Sequence, residues 1–262
     1  MADHEIKYNA GLVLSGGGAR GFAHLGVIEA LNESGIYPEV ISGTSAGSLA
    51  GALYADGYTP REIFGIMNTR SSLDYFRPTM TRGGLMKISG VIKILRNNLR
   101  AKSFEELKIP LFVTATDINN GKAVYFSSGP LIDALVASSS IPVLFRPTVI
   151  DNIQYVDGGV LDNLPIKPIE NICRFKIGSF VNPAGTEERS ASVMHIAMRT
   201  FILSMSKEAD EKLNRFNILV APGELCRYGI LDPEKGQEMF DLGYNAAMKK
   251  LRETDISSVV RR

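Results

Sequence analysis

A serine lies between two glycines where a predicted strand turns into a predicted helix. The segment Gly43-Thr44-Ser45-Ala46-Gly47 has the spacing G-x-S-x-G. Flanking glycines allow the sharp turn that lifts a serine hydroxyl clear of a sheet, and they remove side chains that would block a carbonyl group. Ser45 would lie at a helix N-terminus, where the dipole favours developing negative charge. Ser45 is therefore a candidate nucleophile, the alternative being a serine that only caps the helix.

A glycine-rich loop precedes this serine, between a short apolar strand and a helix. In Ser15-Gly16-Gly17-Gly18-Ala19-Arg20-Gly21, three of the glycines also satisfy the dinucleotide-binding pattern G-x-G-x-x-G. Dinucleotide binding requires an acid at the end of the second strand, but the nearest acid, Glu39, precedes that strand. Backbone N–H groups of consecutive glycines also converge on an oxyanion. We favour an oxyanion site over a dinucleotide site and over a simple tight turn.

Two side chains are candidates for the base that would activate Ser45. Asp157 ends an alternating apolar run and precedes Gly158 and Gly159, which keep its surroundings open. Burial beside an apolar pocket would raise its pKa toward the working pH, although Asp-Gly-Gly is also good turn chemistry. His195 would complete a Ser-Asp-His triad. Only one strand precedes the serine, however, and His195 is predicted at mid-helix with no loop signals around it, so Asp157 is the better candidate.

The elements that must position these residues alternate between short apolar runs and helical periods. Strands are predicted at 11–15, 40–42, 111–116, 123–126, 153–156, 175–181 and 217–221. Helices are predicted at 22–31, 45–55, 130–138, 190–213 and 233–253, and one more should begin at Thr59-Pro60. The turn Asn119-Asn120-Gly121 predicts a hairpin. Strands separated by helices predict an α/β fold with a mainly parallel sheet covered on both faces.

The composition is that of an ordinary globular protein. Its 262 residues, 45% apolar and 22% charged, fit one α/β domain over 1–262. A net charge of +1 gives no reason to expect a nucleic-acid partner. The polar N-terminus argues against a signal peptide, and no apolar run approaches the ~18 residues that a membrane-spanning helix needs. We expect a cytoplasmic protein.

Residues 70–102 depart from this neutral balance. They contain eight basic residues and one acid, Asp74, a net charge of +7. The basic residues are Arg70, Arg77, Arg82, Lys87, Lys93, Arg96, Arg100 and Lys102, and apolar residues at 88, 91, 92, 95 and 99 follow helical spacing among them. This pattern is typical of a basic amphipathic helix at an anionic membrane surface. It equally fits a cap helix packed over an active site with a solvated basic face.

Four segments of the sequence together resemble the patatin-like phospholipases. GGGARG at 16–21 is similar to the family's oxyanion loop, GTSAG at 43–47 to its nucleophile elbow, ASSSIP at 137–142 to its A-S-x-x-x-P segment, and DGG at 157–159 to its D-G-G. The four occur in the family's order, and the resemblance extends from Gly11 to about Pro165. It covers somewhat over half of the chain.

The resemblance implies a three-layer α/β/α fold and a Ser45–Asp157 dyad without histidine. It also implies oxyanion donors from the backbone of Gly17, Gly18 and Ala19, with Arg20 supporting the loop. The glycines expected to support the loop, the elbow and the aspartate are Gly16, Gly21, Gly43, Gly47, Gly158 and Gly159.

The family hydrolyses acyl esters of lipids without calcium. The resemblance therefore implies a lipid or fatty-acyl ester as substrate, an acyl-enzyme intermediate, and neither a metal nor an organic cofactor. Bacterial members of this length are cytoplasmic or peripherally membrane-associated, which adds an expected contact with anionic membrane through residues 70–102. Two other function classes stay open, an NAD-type oxidoreductase and a catalytically silent lipid-binding protein.

Overall fold

The structure is a computed structural model that describes residues 5–69, 89–186 and 192–260. Its strands are β1 (Tyr8–Leu14), β2 (Val40–Thr44), β3 (Leu111–Asp117), β4 (Lys122–Phe126), β5 (Thr148–Ile150), β6 (Ile153–Asp157), β7 (Cys173–Ser179) and β8 (Ile218–Val220). Its α-helices are α1 (Phe22–Glu33), α2 (Ala46–Ala55), α3 (Pro60–Met67), α4 (Ser89–Asn98), α5 (Leu131–Ser138), α6 (Val193–Lys212) and α7 (Gly236–Glu253).

The eight strands form one mixed sheet flanked by helices. Its order is β5-β6-β3-β2-β1-β7-β8, and β4 also pairs with β3. The five strands from β3 to β8 in this order pair in parallel, whereas β4, β5 and β6 pair antiparallel. This confirms the predicted α/β fold with a mainly parallel sheet and the β3–β4 hairpin. The antiparallel β5–β6 pair was not predicted, because β5 has only three residues and no strong pattern.

The central strand β1 is buried on both faces, as expected of a parallel strand within a layered fold. Leu12 and Leu14 belong to the larger core, which also includes residues of α1, α2 and α7. Val13 points to the opposite core, where Leu164 and Ile166 pack against it. These last residues come from a turn-rich segment after β6 rather than from a regular helix.

The strands β2 and β6 share one edge of β3, while β4 occupies the other. Thr44, the last residue of β2, lies opposite Thr114 of β3 in parallel register. Asp157, the last residue of β6, lies opposite the next residue, Ala115, in antiparallel register. The carboxyl ends of β2 and β6 therefore meet head to head. This arrangement brings the residue after β2 close to the last residue of β6.

The helices α3 and α4 lie beyond the serine elbow in sequence. Thr59 caps α3 in a capping box with Glu62, and Pro60 is the first helical residue, as predicted. In α4, Ile94 and Leu95 are buried, while Lys93 and Arg96 are exposed.

The rest of the basic segment is only partly described. Its apolar residues at 92 and 99 are half-buried, and both pack against the larger core. The described part therefore fits the interpretation as a cap helix. The other apolar residues of the predicted helical pattern, at 88 and 91, lie outside the described residues or side chains. So do the basic residues from 70 to 87 and Asp74. No helix in the described ranges is long and apolar enough to span a membrane.

Candidate active site

The serine elbow is a strained turn between β2 and α2. Ser45 has φ 51° and ψ −123°, a conformation that non-glycine residues rarely adopt and that is typical of a nucleophile held at a sharp strand-to-helix turn. Ser45 occupies the N-cap position of α2, but its side chain makes no capping hydrogen bond. Its N–H donates to Ser138 Oγ at 2.8 Å, which holds the backbone of the turn. The Ser45 hydroxyl is therefore not used as a helix cap.

The Ser45 side chain instead interacts with the Asp157 carboxyl, an interaction that favours its ionised form. Asp157 Oδ1 also accepts the Gly159 N–H at 2.8 Å, so the aspartate organises its own turn while it contacts the serine. The two interpretations of Asp-Gly-Gly, turn residue and base, thus describe the same side chain. The backbone N–H of Asp157 donates to Ser140 O at 2.9 Å and fixes the end of β6.

The environment of Asp157 changes its protonation. Asp157 is 2% exposed, and burial raises the pKa of its carboxyl from 3.8 to about 7. The interactions with the Ser45 side chain and the Gly159 N–H act in the opposite direction, because they stabilise the charged form. A carboxylate with this pKa is both ionised and basic near neutral pH, which is what a general base requires.

The glycine loop lies directly against the elbow. A Cβ atom added at Gly16 would lie 3.1 Å from Ser45 Cβ, and one added at Gly21 would lie 2.7 Å from Ala46 Cβ. Gly18 adopts φ 57°, and a Cβ there would lie 2.3 Å from the carbonyl oxygen of Ile230. Glycine is required at these positions, because a side chain would collide with the backbone or push the loop away from the serine.

The loop leaves two N–H groups without an acceptor. Among the described residues, the backbone N–H groups of Gly17 and Gly18 donate to no other group. For Ala19, the third expected oxyanion donor, the structure shows another role, because its N–H donates to Ile230 O at 2.8 Å. The buried Arg20 side chain donates from Nε to Tyr228 O at 2.7 Å and so joins the loop to the same segment.

The remaining glycines of the motifs allow close backbone contacts. A Cβ at Gly47 would lie 2.4 Å from Leu14 O, and one at Gly43 would lie 2.8 Å from the Gly47 backbone. A Cβ at Gly158 would lie 2.4 Å from Thr114 O, and at Gly159 it would lie 3.1 Å from Asp157 Oδ1. Any side chain at these positions would force the elbow, β1 and the aspartate apart.

The two histidines with described side chains lie in different environments. His195 lies in the first turn of α6, rather than mid-helix as predicted, and is exposed. His24 is fully buried, with Nε2 2.8 Å from Ser15 O and Nδ1 2.7 Å from Ser179 Oγ. Burial lowers the pKa of His24 to about 4, so the ring is neutral and donates from Nε2 to the carbonyl.

An apolar cavity opens beside Ser45. It contains about 950 Å³ of empty space, a figure that includes open solvent at its mouth. Its lining includes Gly18 from the glycine loop, Leu25 from α1, Ile94 and Leu95 from α4, and Phe145. The helix α4 thus contributes its apolar side to the cavity. An apolar lining of this kind suits an acyl chain.

Sequence reasoning missed residues that hold the loop from distant parts of the chain. Asn163 accepts the Gly16 N–H on Oδ1 at 3.0 Å, and Asn182 Nδ2 donates to Gly16 O at 2.6 Å. Ser138 belongs to a recognised motif, but its contact with the Ser45 N–H was not foreseen. No periodicity marks Asn163 or Asn182, which follow β6 and β7, so only the fold identifies them.

The described residues give little support to two alternative functions, metal binding and dinucleotide binding. No group of three or more His, Cys, Asp or Glu side chains in these ranges is arranged to hold a metal ion. Glu39, the acid nearest to the second strand, accepts the Asn9 N–H on Oε2 at 2.7 Å, at the start of β2. It lies at the opposite end of that strand from the glycine loop, so a ribose hydroxyl held there would be far from the loop.

Comparison with known families agrees with this geometry. The model of the family described as patatin-like phospholipase matches residues 12–169, more than half of the chain. The chain therefore belongs to the patatin-like phospholipase family.

Individual relatives match different lengths of the chain. An uncharacterised NTE family protein of Mycobacterium tuberculosis is 36% identical over 163 residues, 62% of this chain and 45% of that protein. Lysophospholipase NTE1 of Scheffersomyces stipitis is 30% identical over 283 residues, 91% of this chain and 18% of that protein. The chain spans less than half the length of these two relatives. The crystal structure of VipD from Legionella pneumophila shares the fold, with a TM-score of 0.55 and 16% identity over 95% of this chain and 67% of that one.

Proposed function

We propose that this protein is a serine hydrolase that cleaves carboxylic ester bonds of lipids through Ser45 and Asp157. One observation carries the proposal. At the wall of an apolar cavity, the Ser45 side chain interacts with the buried Asp157 carboxylate, whose pKa burial raises to about 7. Family membership and the similarity to a lysophospholipase support the same substrate class, which includes phospholipids, lysophospholipids and simpler fatty-acyl esters.

In the first half of the proposed reaction, Asp157 takes the proton from Ser45 as Oγ attacks the ester carbonyl carbon. The carbonyl oxygen becomes an oxyanion, and the N–H groups of Gly17 and Gly18 donate to it. The bond from carbon to the alkoxy oxygen then breaks. The leaving alcohol takes the proton from Asp157, and the acyl group stays on Ser45.

In the second half, Asp157 removes a proton from water, and the resulting hydroxide attacks the acyl carbon. The same N–H groups stabilise the second oxyanion. The ester bond to Ser45 breaks, Ser45 Oγ recovers the proton from Asp157, and the fatty acid leaves. Because backbone donors supply the positive potential in both steps, we expect hydrolysis to proceed without calcium and to be unaffected by a chelator.

The nucleophile is tested by fluorophosphonate labelling and by hydrolysis of a nitrophenyl ester. We expect the wild type to be labelled and active, and Ser45→Ala to lose both properties. His195→Ala is the matched control, because its side chain is exposed on α6, and it should keep near-normal rates. An inactive His195→Ala would indicate the triad instead. A wild type that binds fatty acid but is neither labelled nor active would indicate a silent lipid-binding protein.

Peripheral contact with an anionic membrane surface is a second part of the proposal. On α4, Ile94 and Leu95 face inward, so contact would depend on charge, and Lys93 and Arg96 are exposed for it. We expect Lys93→Glu combined with Arg96→Glu to weaken binding to phosphatidylserine vesicles and to spare hydrolysis of a soluble ester. Unchanged vesicle binding would rule out this role for α4.

A further inference from the structure

Three consecutive serines at the end of α5 differ in what their hydroxyls bind. Ser138 Oγ accepts the Ser45 N–H at 2.8 Å. Ser140 Oγ lies 2.9 Å from Thr148 Oγ1 and also bonds to its own helix. Ser139 is only 6% exposed, yet within the described ranges its Oγ has no hydrogen-bond partner. A buried polar group without a partner costs free energy, and native proteins rarely leave one.

The location of Ser139 indicates what its missing partner is. Ser139 lines the cavity beside Ser45. Among the described residues that line it, Ser45 and Ser139 are the only ones with polar side chains, and the others are glycine or apolar. A single hydroxyl in such a wall has nothing to bind along an acyl chain. Its natural partner is the polar part of a bound substrate.

The chemistry of an ester identifies which polar atom remains for this hydroxyl. An ester group has a carbonyl oxygen and an alkoxy oxygen. In the proposed reaction the carbonyl oxygen is bound by the N–H groups of Gly17 and Gly18, and the carbonyl carbon is attacked by Ser45. The alkoxy oxygen is the one polar atom of the reacting group without a donor.

We propose that Ser139 donates a hydrogen bond to the alkoxy oxygen of the alcohol that leaves when Ser45 is acylated. The proposal rests on the proposed function and deepens it. As the carbon–oxygen bond breaks, the alkoxy oxygen takes the bonding electrons and then the proton held by Asp157, while Ser139 keeps its own proton. The hydrogen bond strengthens as negative charge develops on the oxygen, so it favours the transition state over the bound substrate.

The test compares two esters with the same acyl chain and different alcohols, 1-octanoylglycerol and 4-nitrophenyl octanoate. The alkoxy oxygen of glycerol is strongly basic and needs stabilisation as the bond breaks, before Asp157 protonates it, whereas nitrophenolate spreads its charge over the ring. For Ser139→Ala we expect kcat/KM to fall about 10- to 100-fold on the glycerol ester, as for a lost hydrogen bond to a charged group. On the nitrophenyl ester kcat/KM should change by less than about 3-fold.

Ser140→Ala is the matched control, because it removes a neighbouring hydroxyl that does have partners. It should lower Tm and change kcat/KM on the two esters by the same factor. Ser139→Ala should leave Tm unchanged or raise it, because an unpartnered buried hydroxyl is lost. Ser139→Thr, which keeps a hydroxyl, should recover part of the rate on the glycerol ester.

The outcomes separate this proposal from the proposed function. If the wild type hydrolyses both esters and Ser139→Ala loses the same factor on both, or nothing on either, the role of Ser139 is wrong and the dyad stands. If the wild type hydrolyses neither ester and Ser45 is not labelled by a fluorophosphonate, both proposals fail. A selective loss on the glycerol ester with Tm preserved supports both.

Discussion

Two buried ionisable side chains lie near the carboxyl ends of the strands, and they do different things. His24 contacts the ends of β1 and β7, and Asp157 ends β6 where it meets β2. Burial disfavours the charged form of each, so it lowers the pKa of His24 to about 4 and raises that of Asp157 to about 7. A perturbed pKa alone therefore does not distinguish a catalytic group from a structural one.

The difference lies in the hydrogen-bond partners. Both ring nitrogens of His24 bond to groups that only hold structure, the Ser15 carbonyl and the Ser179 hydroxyl. Asp157 instead interacts with the Ser45 side chain, which also borders the cavity and is free to react there. The catalytic group is the one whose partner reaches substrate. The predictions below test this distinction, from the largest expected effect to the smallest.

The largest expected effect is on the rate when the base is removed. Asp157→Asn keeps the size of the side chain but cannot accept a proton, so we expect kcat to fall by about 10⁴-fold, as in other hydrolases that lose a member of the catalytic unit. His24→Asn should retain activity within about 10-fold at pH 8 wherever it stays folded, since His24 transfers no proton. Hydrolysis of a nitrophenyl ester, with circular dichroism as a check of folding, measures both. Comparable losses in the two variants would remove the distinction.

The second prediction concerns the pH dependence of the rate. Only ionised Asp157 accepts the Ser45 proton, so kcat/KM should rise about 10-fold per pH unit below 7 and level off above it. Fluorophosphonate labelling of Ser45 should follow the same curve, because it needs the same proton transfer. A rate that is flat between pH 5 and pH 9 would contradict Asp157 as the base.

The sequence predicted the parts of the site that are contiguous along the chain. The elbow around Ser45, the glycine loop and Asp-Gly-Gly each require a local backbone geometry, and glycine spacing records that requirement. The strand and helix pattern also placed each motif correctly at the end of its strand. Local steric requirements determine which residue types occur next to each other, so they can be recognised in the sequence without knowledge of the fold.

What the sequence did not predict depends on distant contacts. The meeting of β2 and β6 on one edge of β3 depends on tertiary strand pairing. The strand β5 has only three residues, too few to form a recognisable strand pattern. The Ala19 N–H was expected to bind an oxyanion, but a carbonyl at Ile230, more than 200 residues away, accepts it. No local sequence pattern indicates which distant carbonyl group will lie beside a loop in the folded protein.

The third prediction concerns the stability that neutral His24 contributes. The folded pKa is about 4 and the ordinary value is 6.5, so between these pH values the unfolded chain binds the additional proton. The free energy of unfolding should therefore fall by on the order of 3 kcal/mol as the pH drops from 6.5 to 4 because of His24 alone. Urea unfolding of wild type and His24→Asn measures this, since other groups cancel in the difference. Equal pH slopes in the two proteins would exclude a buried neutral His24.

The smallest effect, about 2 kcal/mol, concerns stability at Asp157, and its sign is opposite. The folded pKa of about 7 lies above the ordinary value of 3.8, so between these pH values the folded chain keeps a proton that the unfolded chain loses. The stability contributed by the protonated carboxyl is complete below pH 3.8 and is lost as the pH rises toward 7. Asp157→Asn stays neutral, so its free energy of unfolding relative to wild type should increase by about 2 kcal/mol between pH 5 and pH 7. A variant that becomes relatively less stable over this range would mean that the carboxylate is stabilised in the fold, as in an ordinary ion pair, and too weak a base for Ser45.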